Sequence, residues 1–193
     1  MKRLLMLVAA IAGISLAGGK ALAANPAEVE VWVMITNLSV NITSSTTYSF
    51  PALTAGTSGV QAAAQNFVVQ NNGNVNETFQ LRVQPTSNAL VGGAGLWTLV
   101  SAAPVGEQVR LNALFTAGPV VAGDFNTAFD ALTTVLVSSG AVDASPFSFV
   151  DVGVAGGSNV IPGASRNLWT RVDTSATTIQ FANKFLRIEV NAI

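Results

Sequence analysis

The sequence predicts an all-β chain, folded as an antiparallel immunoglobulin-like β-sandwich with at most one short helix. Apolar and polar residues alternate with period two along most of its length after residue 27, as half-buried strands require. Clusters of Gly, Pro, Asn and Ser separate these runs at intervals of about ten residues, the rhythm of a sandwich or barrel. No cysteine is present, so a packed core must hold the fold without disulfides.

The first 23 residues read as an export signal. Lys2 and Arg3 form a positive start, Leu4 to Ala17 a 14-residue apolar run, and Ala21-Leu22-Ala23 a small-x-small cleavage pattern. The apolar run is short for a bilayer span, and no later run reaches spanning length. The expected organisation is therefore a signal peptide over 1–23 and a single β-sandwich domain over 24–193.

Within that domain "EVEVWVMITNLSVNIT" (28–43) alternates Val29, Val31, Val33 and Ile35 against polar or larger neighbours, giving one strand or two joined by a bend near Asn37. "VQAAAQNFVVQ" (60–70) and "ETFQLRVQ" (77–84) read as the arms of a hairpin. Further strands are expected in "LWTLVSA" (96–102), "EQVRLNALF" (107–115), "TTVLVSS" (133–139), "FSFVDV" (147–152), "NLWTRVD" (167–173) and "KFLRIEVNA" (184–192). Between them, Phe125, Phe129, Leu132 and Leu136 recur at helical spacing behind Asp124, a candidate N-cap for the one short helix.

The hairpin carries a register argument. Phe67, Val69, Val75, Phe79, Leu81 and Val83 are all odd-numbered, and a three-residue turn, "NNG" with Gly73 left-handed, would put both arms' apolar residues on one face. Phe67, Phe79, Leu81 and Val83 are then core. Glu77 shares their parity and is expected near the rim. Asn71, Asn72, Gly73 and Asn74 read as turn chemistry rather than a binding site.

Several chemistries are excluded. Without histidine there is no Ser-His-Asp site and no histidine zinc site; without cysteine there is no thiol or soft-metal chemistry. Lys184 is the single lysine after residue 23, and no serine lies in a G-x-S-x-G elbow. A glycosidase would need two carboxylates around a cleft, but Glu28 and Glu30 lie on one strand face and the rest sit singly near turns. Asp143 and Asp151 flank a loop with oxygen ligands suited to calcium, but the D-x-D-x-D spacing is missing. Trp32, Trp97, Trp169 and Tyr48 could stack on a sugar, though no two are close in sequence and core or interface packing is the commoner fate of tryptophan in such strands. No catalytic, cofactor-binding or metal-binding residue and no cofactor is therefore assigned. After cleavage six basic residues face ten acidic ones, a net charge of −4, which argues against nucleic acid as a partner. The sequons at Asn37, Asn41 and Asn76 carry little weight in so asparagine-rich a chain.

"FVVQNNGNVNETFQLRV", "GLWTLVS", "NVIPGASRNLWTRVDTSATT" and the closing "FLRIEVNAI" together resemble the secreted immunoglobulin-like domains associated with NPCBM modules. The likeness spans roughly Gln61 to Leu99 and Asn159 to Ile193. It implies a non-catalytic β-sandwich spacer or adhesion module on a microbial surface, and it carries no ligand-binding residue onto this chain. Ser175 stands where that family usually has proline, and Ala102 to Gly157 is longer than its spacing.

The expected function is thus an exported structural or interaction protein of the bacterial envelope, in the periplasm, at the cell surface or outside. Its expected partners are other copies of itself, envelope proteins or polysaccharide. A carbohydrate-binding module is the alternative, and an eight-stranded outer-membrane barrel a lesser one, since it wants aromatic girdles that a single tyrosine does not supply. The chain shows no lipid-bearing cysteine and no sorting segment, which suits retention by assembly: the alternating strand of Glu28 to Ile35 could complete a neighbour's sheet, although serving as the first strand of its own sandwich is the commoner role for such a segment.

Overall fold

The computed structural model describes residues 36–84, 98–141, 149–151, 155–177 and 186–193, all within one compact unit, Thr36–Ile193. The expected signal peptide and the strand over 28–35 lie outside the described residues. Among the described residues nine strands form two sheets: β1 (Val40–Ile42), β2 (Ser58–Val60), β3 (Phe67–Asn71), β4 (Phe79–Val83), β5 (Thr98–Leu99), β6 (Gln108–Phe115), β7 (Val137–Ser138), β8 (Ser165–Thr174) and β9 (Ile188–Ala192). The larger sheet runs β1-β3-β8-β6-β5, with β2 beside the far half of β8; the smaller runs β7-β4-β9. All pairings are antiparallel except β5 with β6. The all-β sandwich expected from the sequence is what forms.

Alternation explains where the core lies. On β4, Phe79, Leu81 and Val83 point inward; on β6, Val109, Leu111, Ala113 and Phe115; on β8, Leu168 and Val172. The β6–β8 register sets Leu111 opposite Val172 and Phe115 opposite Leu168, so odd positions on one strand share a face with even positions on the other. Of the four predicted core residues, Phe79, Leu81 and Val83 are buried and Phe67 packs half-buried against the same cluster.

The hairpin does not form. β3 pairs with β1 and β8 in the larger sheet, whereas β4 pairs with β7 and β9 in the smaller. Residues 72–78 carry the chain from one sheet to the other. The odd-numbered parity was right for burial because both strands face one core from opposite sides; it says nothing about which strands bond.

Two other expectations need correction. The arm over 60–70 is split, with Val60 ending β2 and Phe67 opening β3, and after Gln61, whose N–H still donates to the Thr170 carbonyl at 3.0 Å, residues 62–66 connect the two. Gln61, 2% exposed, closes that gap: its Oε1 accepts the Thr170 N–H at 3.0 Å while its Nε2 donates to the Gln65 carbonyl. The helix behind Asp124 is also absent. A single 3-10 turn spans Ala122–Asp124, and the Asp124 carboxylate accepts the Val121 N–H at 2.7 Å. Phe125 packs with Leu114, Val120 and Trp169 on the outer face of the larger sheet, while Leu132 enters the main core. Residues bound for two separate clusters cannot share one helical stripe.

Candidate functional site

Two polar constellations stand out, one at the crossover and one on the larger sheet. The crossover is organised by Asn71, fully buried at the end of β3. Its Nδ2 donates to the carbonyls of Val75 and Val160, both at 2.7 Å, and its Oδ1 accepts the Gly73 N–H at 2.8 Å. Antiparallel contact with the segment before β1 continues past it: Asn72 donates to the Ser39 carbonyl and Asn74 to that of Asn37. The Asn71 side chain thus supplies bonds the backbone cannot make at a corner.

Gly73 is needed here for a different reason from the one the sequence suggests. It is not left-handed; the described glycines with positive φ are Gly56, Gly106 and Gly163. A Cβ on Gly73 would instead collide with the Asn37 carbonyl oxygen and Glu77 Oε1. Gly73→Ala is therefore expected to destabilise by about 1–3 kcal/mol through overpacking. Urea unfolding checks this, and an unchanged midpoint would refute the close approach.

Glu77 is not at the rim. It is 1% exposed, bridged to Val160 through both backbone groups, and its Oε1 accepts the Ser39 N–H at 2.6 Å. Its Oε2 is buried and takes part in no hydrogen bond.

The second constellation follows from register. Ser58 on β2 and Arg110 on β6 both lie directly opposite Asp173 of β8, and Arg171 lies two residues along the same face. Asp173, 5% exposed, accepts Ser58 Oγ at 2.5 Å and Arg171 Nε at 2.7 Å on one oxygen. Its other oxygen accepts Arg110 Nε at 2.8 Å and Asn112 Nδ2 at 3.0 Å. Burial pushes this carboxyl up, but the bonds from Ser58, Arg110 and Arg171 outweigh that and hold it below its ordinary value. Arg171 also reaches the Ala122 carbonyl at 2.6 Å, fastening the 3-10 turn over the sheet. A carboxylate engaged on both oxygens with two guanidinium groups is a structural device, not a general base.

The other sequence candidates are dispersed. Trp169 is 2% exposed with its indole N–H toward the Thr116 carbonyl, and Tyr48 packs edge-on to Phe50 with its hydroxyl accepting the Ala62 N–H. Neither offers a free ring face in a row with another described aromatic; Trp32 and Trp97 lie outside the described residues, as do Glu28, Glu30, Asp143 and Lys184. Asp151 accepts from Thr116 Oγ1 at 3.3 Å. A shallow groove lined by Thr116, Ala117, Ala155, Ser165, Arg166 and Asn167 carries one charge, whose Nε is bonded to the Gly156 carbonyl. Among the described residues no three acidic side chains gather as a metal-ligand group, and no helix is long and apolar enough to cross a membrane.

Sequence reading missed the Asp173 cluster and the depth of Glu77. The signal for the first was an Arg-x-Asp pair on one strand face, and for the second an acid at core parity. No family model, curated protein or solved structure matches the chain.

Proposed function

We propose that this chain is an exported, non-catalytic structural protein of the bacterial envelope or surface that assembles with copies of itself by strand addition. The observation that carries this reading is the edge of the smaller sheet. β9 pairs with β4 alone among the described strands, and its Ile188 and Val190 pack against the core yet stay only half-buried. Such an edge offers unpaired backbone groups together with apolar surface that a further strand would cover. The alternating Val29, Val31 and Val33 of a second copy have the pattern for that partner.

The test compares residues 24–193 with the same protein lacking Glu28 to Ile35. Sedimentation should show oligomers that grow with concentration for the longer form. The deletion should leave a folded monomer that binds a peptide of residues 28–35. A longer form that stays monomeric at every concentration, with a deletion that unfolds, would mean the strand belongs to its own domain.

A further inference from the structure

We propose that the crossover corner binds a hard divalent cation, Ca²⁺, through the Glu77 carboxylate and the carbonyl oxygens gathered beside Gly73. Glu77 is 1% exposed and accepts one hydrogen bond, from the Ser39 N–H on Oε1; Oε2 is buried without any. The ion pairs among the described residues join Arg82 to Glu189 and Arg110 and Arg171 to Asp173, and none of those pairs involves Glu77. A buried carboxylate with one donor and no such pair carries an uncompensated desolvation cost.

The atoms around it have the chemistry to supply that compensation. Asn37 O, Glu77 Oε1 and Asn71 Oδ1 converge on one side of Gly73: the first two would clash with a Cβ there, and the third would stand 3.2 Å from it. Asn37 O accepts the Asn74 N–H and Asn71 Oδ1 accepts the Gly73 N–H. A carbonyl oxygen has two lone pairs, so each keeps one for a metal. The Asn71 amide cannot turn its nitrogen inward, because Nδ2 is held by Val75 and Val160. The oxygen is therefore fixed in place before any ion arrives.

One carboxylate with neutral carbonyl oxygens and no nitrogen or sulfur ligand selects hard cations. Ca²⁺ fits better than Mg²⁺, since it accepts six to eight oxygens in irregular geometry and tolerates carbonyls and water. A single formal charge among the ligands places the affinity in the weak range of extracellular modules, about 10⁻⁴–10⁻³ M.

Thermal unfolding of residues 24–193 in chelator and then in rising CaCl₂ is the first measurement. The midpoint should climb through the range of about 0.1–1 mM, respond less to MgCl₂, and lose its calcium response in Glu77→Gln. Asp151→Asn, a carboxylate elsewhere, should keep the response. Calcium should also shift the amide resonances of Ser39, Gly73 and Glu77 in the unaltered protein, a readout that survives even if the Gln variant fails to fold. A midpoint indifferent to calcium up to about ten times that range, a full response in Glu77→Gln, or shifts confined to other residues would each overturn the proposal.

Discussion

Phe79→Ala is expected to cost about 3–5 kcal/mol, measured by urea unfolding. Phe79 opens the central strand of the smaller sheet and is fully buried, its ring 6.0 Å from that of Phe115 across the sandwich. Its backbone is fixed on both sides, donating to the Gly157 carbonyl at 2.7 Å and accepting from Ser139 N–H at 2.8 Å. Collapse into the space is restricted because Gly157 already lies against both rings' residues: a Cβ on it would come within 2.9 Å of Phe115 and 3.1 Å of Phe79. The cavity therefore stays largely open, which puts the cost in the upper part of the range for large-to-small changes. A loss under about 1 kcal/mol would mean the two sheets do not meet at this residue.

Asp173→Ala should cost a similar amount, about 3–5 kcal/mol, by a different mechanism. Arg110 and Arg171 have side chains only 12% and 15% exposed, and the substitution leaves both without the carboxylate that neutralises them. The same arrangement predicts acid sensitivity. Because the folded protein holds Asp173 below its ordinary value of 3.8, the unfolded chain takes up the proton first. The stabilisation is complete above that value and is lost as pH falls through the folded one. Glu189 behaves alike, lowered chiefly by its hydrogen bond from Arg82. Stability measured from pH 6 to pH 2 should therefore fall as the pH drops below 4.5, the ordinary value of Glu189, and further below 3.8, that of Asp173, and in Asp173→Ala this fall should flatten, with the Glu189 contribution remaining. An unchanged acid slope in the variant would show that Asp173 is not charged at the centre of the cluster.

Much of the sandwich was legible because alternation reports burial. Val69, Phe79, Leu81 and Leu111 all follow it, and Pro162-Gly163 marks the turn into β8, where Gly163 has φ 77°. Partner choice was not legible. β3 and β4 are close in sequence and share parity, which suits a hairpin and a crossover equally well. Only contacts across about a hundred residues, Val69 with Arg166 and Leu81 with Val190, separate the two. Buried amides were hidden for another reason: Asn71 reads as a turn residue and Gln61 as an ordinary polar strand residue until the backbone groups they satisfy are in view. The Asp173 cluster joins positions 58, 110 and 173, and no local pattern links those.

That residues 72–78 cross between sheets, as scaffold, is tested most directly by backbone NOEs in the folded protein. Contacts between Val69 and Arg166 and between Leu81 and Val190 are the expected result. A hairpin closed at Asn71-Asn72-Gly73 would instead set Val69 against Val75 and Phe67 against Glu77, and NOEs between those pairs would contradict the crossover.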